Sequence, residues 1–217
     1  MMLTVLHRSA RFVAVDKPAG MVVHRSEWCP EGEPVLQRLR DQIGQRVFPV
    51  HRLDRATSGV LVFALDSDAA RHVSEQLVAH EVEKHYLAIV RGWPHHEGVV
   101  DYAIAEDPSA PKVDAVTEYR RRETVELPIA VGRYATARYA LVDVRPRTGR
   151  MHQIRKHFAH LRHPIVGDVR YGDGRHNRLW REVLGRPGMM LRAVAMRFID
   201  CDGASVCITA PDMLALP

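Results

Sequence analysis

The chain has 217 residues, of which 46% are hydrophobic and 26% charged, as in a soluble globular protein with a substantial core. Its net charge of +5 and pI near 9.4 are mildly indicative of a nucleic-acid partner. No apolar run approaches the roughly 20 residues of a membrane-spanning helix, and no secretory signal opens the sequence, so we expect a cytoplasmic protein. The odd number of cysteines argues against a disulfide framework (Cys29, Cys201, Cys207).

Arginine dominates the basic residues, because the chain has only four lysines (Lys17, Lys84, Lys112, Lys156). Arginine suits bidentate phosphate contacts and stacking on bases. A genome-wide bias towards arginine codons would give the same composition, so both explanations stay open.

The first half of the chain predicts strands at 3–6 and 12–15, a turn at 16–20, an extended segment at 21–24 and a polar loop at 27–34. Apolar residues at helical spacing predict a helix at 35–46. Six consecutive apolar residues at 60–65 predict a strand buried on both faces. A helix should follow from Ser67, as its N-cap, to about His80.

The second half predicts a strand at 82–90, a loop at 105–114 and further strands at 115–120 and 138–145. A helix is expected at about 150–161, another at about 175–184, and closing strands at about 190–199 and 204–209. Few strand–helix–strand units alternate, so we expect an α+β fold with a mixed or largely antiparallel sheet flanked by helices. We expect residues 1–217 to form one continuous domain.

Arg155 has a particular place on the predicted helix at 150–161. The helix has an apolar stripe (Met151, Ile154, Phe158, Leu161), and at 100° per residue Arg155 lies at the edge of this stripe. Arg155 is therefore expected to border a core or a cleft.

Asp54 lies between two arginines, Arg52 and Arg55, directly before the strand at 60–65. Flanking guanidinium charge favours the ionised carboxylate, which suits a nucleophile better than a proton donor. A structural ion pair at the entrance of a strand would show the same pattern, and these residues alone favour that simpler interpretation.

Several common chemistries lack their motifs. Thirteen histidines are many, yet the sequence has no His-Glu-x-x-His motif and no Cys/His quartet. It also has no Gly-x-Gly-x-x-Gly or Walker pattern, and Gly59 does not stand in a Gly-x-Ser-x-Gly context. A metal site, a phosphate-binding glycine loop and an α/β-hydrolase are therefore disfavoured.

Five segments, in order, carry a more specific signal. They are 17–20 (Lys-Pro-Ala-Gly) with 23–24, 51–59 (His-Arg-Leu-Asp-Arg-Ala-Thr-Ser-Gly), 84–92, 148–155 and 163–168. In order and spacing they resemble the RluA-type pseudouridine synthase family, over residues 3 to 210. Residues 127–134, 149–153 and 159–164 are similar to its TruC branch, which modifies uridine 65 in the T-stem of tRNA. We therefore expect no S4-like RNA-binding extension.

The resemblance implies catalytic roles for three residues. Asp54 would be the nucleophile, and Arg155 would pair with it. Tyr86 would stack on the target base and help to remove the proton from carbon 5. Without the neighbouring motif, Tyr86 would be interpreted as a strand residue of the core. The alternative for Arg155 is a solvated helix residue, which its position at the edge of the apolar stripe disfavours.

The resemblance also implies substrate contacts. Arg52 would enter the RNA helix where the base leaves, because a stem uridine is otherwise inaccessible. Ile165 would pack on the other face of the base, with ordinary core packing as the alternative. Lys17, His24 and Arg150 would lie near RNA phosphates, with a solvated basic face as the alternative.

The implied reaction is the redox-neutral isomerisation of uridine to pseudouridine in tRNA, for which no cofactor or metal is expected. We expect a monomer without a protein partner and without membrane association. Two alternatives stay open: the same chemistry on rRNA or at another tRNA site, and a non-catalytic RNA-binding protein with this fold.

Overall fold

A computed structural model of the chain describes residues 2–24, 33–107 and 109–217. Its strands are β1 (Thr4–Arg8), β2 (Phe12–Lys17), β3 (Phe48–Pro49), β4 (Ser58–Ala64), β5 (Glu83–Arg91), β6 (Glu97–Asp101), β7 (Ile104–Ala105), β8 (Lys112–Val113), β9 (Val116–Leu127), β10 (Ala137–Pro146), β11 (Leu191–Ile199) and β12 (Ser205–Thr209). Its helices are α1 (Val35–Ile43), α2 (Ser67–Val78), α3 (Gln153–His160) and α4 (Gly174–Arg178), the last continued by a π-helical turn (Leu179–Val183). Cys29 and most of the loop predicted at 27–34 lie outside the described residues.

The chain divides into two compact units. Unit 1 comprises Met1–Lys84 and Ala193–Pro211, and unit 2 comprises His85–Arg192 and Asp212–Pro217. The strand pairings within each unit are antiparallel, and helices accompany the strands. The α+β class is therefore confirmed, whereas the extent of a single domain over 1–217 stays a prediction.

Unit 1 is built on β2, which pairs with β1 on one side and with β4 on the other. Its central strands are apolar on both faces, and Val13, Leu61 and Phe63 are fully buried. In the same unit β12 pairs with β11. The prediction of a buried central strand from the run at 60–65 is thus confirmed.

Both helices of unit 1 differ from the prediction at one end. Asp66, and not Ser67, is the N-cap of α2, because its Oδ1 accepts a hydrogen bond from the backbone N–H of Ala69 at 2.8 Å. Helix α1 ends at Ile43, three residues before the predicted end, because Gly44 adopts the left-handed conformation that commonly terminates helices.

Unit 2 is built on four strands in the order β5-β10-β9-β6. The hairpin of β9 and β10 is long, with pairs from Thr117 opposite Pro146 to Leu127 opposite Ala137. The predicted loop at 105–114 is partly wrong, because β7 and β8 form a small hairpin there.

Helix α3 begins at Gln153, later than predicted. His152 has a φ of 57° and stands in the left-handed region, so the regular helix starts after it. The charged helix predicted at 175–184 is confirmed in outline, although its second half is the π-helical turn.

Candidate active site

Asp54 opens a tight turn in unit 1, directly before β4. The backbone N–H of Thr57 donates to the carbonyl of Asp54 at 3.0 Å, which closes a four-residue turn. Leu53 and Thr57 are buried and Asp54 is half-buried, whereas Arg52 and Arg55 are exposed. The turn therefore anchors its apolar residues in the core and presents the carboxylate at the edge of a rigid strand.

Lys17 holds this turn from inside the protein. Its side chain is 0% exposed, and its Nζ donates to the carbonyls of Pro18 at 2.9 Å and Arg55 at 3.1 Å. Burial lowers the pKa of Lys17 to about 8, although the carboxylate of Asp54 acts in the opposite direction. The ammonium group of Lys17 is enclosed and bonded to backbone in this structure, and its expected phosphate contact stays a prediction.

Two reciprocal bonds connect the same turn to the Lys-Pro-Ala-Gly segment. The N–H of Gly20 donates to the carbonyl of Arg55 at 2.8 Å, and Nε of Arg55 donates to the carbonyl of Gly20 at 2.9 Å. Two motifs that lie far apart in the sequence therefore form one local structure around Asp54.

The side chain of His51, just after β3, provides a hydrogen-bond acceptor to β4 in place of a backbone carbonyl of a neighbouring strand. Its Nε2 lies 3.0 Å from the backbone nitrogen of Val62 and must accept this hydrogen bond, so the imidazole is neutral and carries its proton on Nδ1. Burial, together with the charge of Lys84, lowers the pKa of His51 to about 4. The side chain thus satisfies the backbone N–H of Val62 in β4, while the backbone of His51 turns away towards Asp54.

Gly59 lies in β4 just after the turn and has a φ of 108°. A Cβ atom built on it would lie 1.9 Å from the carbonyl oxygen of Ala193 in β11. Only glycine allows the two backbones to approach in this way, which explains the glycine that ends the motif at 51–59.

Tyr86 lies in β5 of unit 2, opposite Val144 of β10, which in turn lies opposite Tyr119 of β9. Directly opposed residues share one face of a sheet, so these three side chains stand on the same face. On this face the ring of Tyr119 meets Phe158 of α3 edge to face at 5.5 Å. Tyr86 is half-buried on the face that α3 covers.

Arg155 of α3 is only 7% exposed and forms a bidentate ion pair. Its Nε donates to Oδ2 of Asp168 at 2.7 Å and its Nη2 to Oδ1 at 2.9 Å. The backbone N–H groups of Arg170 and Tyr171 also donate to Oδ1 of Asp168. Burial by itself raises the pKa of Asp168, but Arg155 and these N–H groups outweigh burial and hold it below its usual value.

A buried polar network fixes the first turns of α3. Gln153 donates from Nε2 to Oγ1 of Thr117 at 2.9 Å and accepts at Oε1 from the hydroxyl of Thr148 at 2.6 Å. Nε2 of His157 donates to the carbonyl of Tyr102 at 3.0 Å, so Nδ1 accepts from the hydroxyl of Thr117 at 2.9 Å. Burial lowers the pKa of His157 and favours this neutral form.

The remaining predicted contacts occupy different environments. Arg52 and His24 are exposed, and the exposed Arg150 donates from Nε to the carbonyl of Asp114 at 3.1 Å. Ile165 is 1% exposed and forms a bridge with Val90 of β5, so in this structure it packs in the core.

Sequence reasoning missed the residues that position the catalytic candidates. Asp168 belongs to the segment at 163–168 and was noted only as part of that motif. Gln153 lies in the segment at 148–155 and His157 on the helix predicted at 150–161, and neither was assigned a function. The sequence does contain one indication of their role: Gln153 and His157 are polar, and each directly precedes an apolar residue of the helix stripe, Ile154 and Phe158.

A groove of about 590 Å³ lies on the opposite face of the unit 2 sheet. Three arginines and three carboxylates line it, together with His85 (Arg120, Arg122, Arg145, Glu97, Glu118, Asp143). His85 and Arg122 both pair with Asp143, at 2.7 Å and 2.6 Å. Because the charges balance, the groove offers no excess of positive charge for a phosphate.

Neither a metal cluster nor a membrane-spanning helix occurs in the described part of the chain. No group of three or more His, Cys, Asp or Glu side chains among these residues is placed to hold a metal ion. None of their helices is long and apolar enough to cross a bilayer.

Comparison with known proteins identifies the family. The family described as RNA pseudouridylate synthase matches residues 11–160. The tRNA pseudouridine synthase C of Vibrio cholerae is 54% identical over 210 residues, which cover 91% of this chain and 86% of the relative. That of Haemophilus ducreyi is 50% identical over 209 residues, with coverage of 91% and 86%.

A solved structure agrees with these sequences. Human RNA Pseudouridylate Synthase Domain Containing 1 superposes with a TM-score of 0.78 and 27% identity, over 97% of this chain and 83% of the human chain. The match to the family covers the Asp54 turn and all of α3, and the match in fold covers 97% of the chain. The chain is therefore an isomerase that belongs to the RNA pseudouridylate synthase family.

Proposed function

We propose that this enzyme converts uridine 65 in the T-stem of tRNA to pseudouridine. The observation that carries the proposal is the 54% identity, over 91% of the chain, to an enzyme named for its action on tRNA. The similarity of residues 127–134, 149–153 and 159–164 to the TruC branch supports the choice of position 65.

The proposed reaction breaks the bond between N1 of the base and C1′ of the ribose and forms a bond between C5 and C1′. The proton on C5 leaves and N1 gains a proton, so no electrons enter or leave. Asp54 acts as the nucleophile that divides this exchange into easier steps. Its place at the edge of β4, held by backbone hydrogen bonds, supports this role because a fixed nucleophile needs little reorganisation.

Tyr86 and Arg155 complete the proposed catalytic set. Tyr86 stacks on the target base and assists the loss of the C5 proton, and Arg155 pairs with the carboxylate of Asp54. The fixed guanidinium of Arg155 supports this role, because its bidentate bond to Asp168 prevents it from changing rotamer.

The other contacts belong to the same proposal. Arg52 enters the RNA stem as the uridine leaves the stack, and its exposure beside Asp54 supports this role. His24 and Arg150 are exposed and contact phosphates, and Ile165 contacts the base only after a rearrangement that uncovers it. The enzyme works as a monomeric single domain in the cytoplasm, where bacterial tRNA is matured.

The nucleophile is tested by replacing Asp54 with asparagine, which has the same shape but no charge. Tritium release from tRNA labelled at C5 of uridine should fall to the background level, while tRNA binding and the melting temperature stay unchanged. Asp202→Asn, which changes an exposed carboxylate elsewhere, should retain full activity. Normal tritium release by the Asp54 variant would refute the assignment.

The substrate is tested separately in a strain that lacks the gene. Pseudouridine should disappear from position 65 of tRNA and return when the wild-type gene is supplied. Loss at an rRNA position, or at another tRNA position, would refute the proposed substrate and leave the chemistry intact. Absence of any tritium release from all RNAs by the wild-type protein would instead favour a non-catalytic RNA-binding protein.

A further inference from the structure

The segment between β9 and β10 forms a rigid turn that the proposed reaction does not use. Val131 and Tyr134 exchange both backbone hydrogen bonds, at 3.0 Å and 3.2 Å, around Gly132 and Arg133. Gly132 has a φ of 63°, whereas Arg133 does not have a positive φ, as expected for a two-residue II′ turn. Arg133 and Tyr134 are therefore held in fixed positions at the end of the hairpin.

Tyr134 exposes an aromatic ring at this turn. Its exposed fraction is 60%, and Arg133 lies beside it, with Cζ 5.1 Å from the ring centroid and Nη2 donating to the hydroxyl at 3.0 Å. The contact between the two side chains orients the ring but leaves most of it accessible. A rigid, exposed aromatic ring next to a guanidinium group is suited to stacking on an unpaired base.

A second arginine, Arg175, lies against the turn because Gly132 has no side chain that would block it. A Cβ atom at this position would lie 2.6 Å from Nη1 of Arg175, so the guanidinium of Arg175 packs directly on the glycine. Arg133 and Arg175 are exposed, and neither forms an ion pair with a carboxylate among the residues that the structure describes. Their charges are thus available to an external anion.

The carboxylate nearest along the hairpin is already compensated. Glu126 accepts from Nε of Arg138 at 3.1 Å and from the hydroxyl of Thr136 at 2.7 Å. Arg138 also stacks on Trp93, with Cζ 4.6 Å from the ring, and Trp93 is 38% exposed. The surface therefore combines two exposed aromatic rings with a surplus of arginine.

We propose that this hairpin patch, defined as Trp93, Arg133, Tyr134, Arg138 and Arg175, binds a part of the tRNA other than the target uridine. An unstacked base lies on Tyr134, and phosphates lie on Arg133 and Arg175. The proposal rests on the proposed function for the identity of the RNA. A protein partner would bury a more apolar surface with fewer uncompensated charges, so RNA is the occupant that the chemistry favours.

The ring is tested with Tyr134→Ala and Tyr134→Phe. Both are assayed in the full-length chain that also carries Asp54→Asn, so that the tRNA stays unmodified during the measurement of Kd. Loss of stacking on one base should weaken tRNA binding about tenfold in Tyr134→Ala, whereas Tyr134→Phe retains the ring and should bind nearly normally. In the otherwise wild-type enzyme, KM for tRNA should rise with Tyr134→Ala while kcat at saturating tRNA stays the same.

The charges are tested with the double variant Arg133→Ala and Arg175→Ala. Removal of two phosphate contacts should reduce the slope of log Kd against log salt concentration by about 1.5. The matched control is Arg71→Ala with Arg181→Ala, which removes two exposed arginines that pair with Asp68 and Glu182. This control should leave the slope unchanged, and the melting temperature of each variant reports whether it is folded.

The outcomes separate this proposal from the proposed function. Unchanged Kd, KM and salt slope in folded variants would refute the hairpin patch, while continued tritium release would leave the enzyme assignment intact. Equal weakening by Tyr134→Ala and Tyr134→Phe would refute stacking. If the wild-type protein binds tRNA through the patch but never releases tritium, the proposed function fails and the patch stands.

Discussion

The turn that carries Asp54 and the helix that carries Arg155 are fixed by different kinds of contact. In unit 1, the turn is held through its backbone, because Nζ of Lys17 and the N–H of Gly20 both donate to the carbonyl of Arg55 and Gly59 allows two backbones to touch. In unit 2, α3 is held through side chains, with a hydroxyl–amide–imidazole network and a buried ion pair.

The difference suggests which substitutions each region tolerates. A turn that is held through its backbone is stable only while the side chains at its close contacts stay small or absent. One added methyl group at such a contact should therefore destabilise it. A helix held by a satisfied polar network depends on partners, since each lost partner leaves another buried group unpaired. Steric substitutions should therefore damage the Asp54 turn most, and substitutions that remove charge should damage the Arg155 helix most.

The largest effect is expected from Gly59→Ala in the turn region. Its Cβ would lie 1.9 Å from the carbonyl oxygen of Ala193, so β4 or β11 must move, at a cost of about 4 kcal/mol or more in the free energy of unfolding. The matched control is Gly20→Ala, which has a similar φ of 91° but no atom within 4 Å of the added carbon.

Gly20→Ala should lose only the strain of the left-handed backbone, about 1–3 kcal/mol. Chemical denaturation of both variants gives the comparison. Equal losses would mean that strain, and not the contact with β11, decides the effect at Gly59.

The next effect is expected from Asp168→Ala in the helix region. This variant removes the bidentate acceptor of the buried guanidinium of Arg155 and should destabilise the fold by about 3–5 kcal/mol. Asp41→Ala removes an equally close but exposed pair with Arg40 and should cost about 1 kcal/mol or less. Similar values for the two variants in urea denaturation would contradict the importance of burial for the Arg155 pair.

Much of this comparison could not be derived from the sequence. The apolar run at 60–65 and the spacing at 35–43 predicted β4 and α1, because burial on one or two faces leaves a periodic pattern. The extension of β9 to Leu127 was missed, since its charged residues line an exposed face and break the alternation. The start of α3 was predicted too early because the left-handed conformation of His152 leaves no periodic signal.

The site shows the same limit. Asp54, Tyr86 and Arg155 were assigned by resemblance, whereas local chemistry alone favoured an ion pair for Asp54. Lys17 was placed near an RNA phosphate, with a solvated basic face as the alternative, because its partner in the structure, the carbonyl of Arg55, lies 38 residues away in the chain. Long-range backbone contacts of this kind are set by tertiary structure and leave no trace in local composition.

Acid sharpens the comparison, because the His51 contact in the turn and the Asp168–Arg155 pair beside α3 titrate in different ranges of pH. His51 is neutral in the folded turn, with a pKa of about 4, and has a pKa of about 6.5 when unfolded. The unfolded chain therefore binds more protons between these values, and the contribution of His51 is lost as pH falls from about 6.5 to 4, by roughly 3 kcal/mol. The pair of Asp168 and Arg155 keeps its contribution in this range, because the folded pKa of Asp168 lies below 3.8.

The variant His51→Gln isolates this smallest and most specific effect. Glutamine accepts the same N–H of Val62 but does not titrate, so the free energy of unfolding should fall less between pH 6.5 and 4 than in the wild-type protein. His157 and His176 also have lowered pKa values, but their effect on the pH dependence is the same in both proteins, so the difference between the two curves belongs to His51. Hydrogen exchange should give the location: the Val62 amide of the wild-type protein loses protection in this range, and that of the variant does not. Parallel stability curves would mean that the imidazole does not hold the turn, and that the backbone bonds of Lys17 and Gly20 fix Asp54 without it.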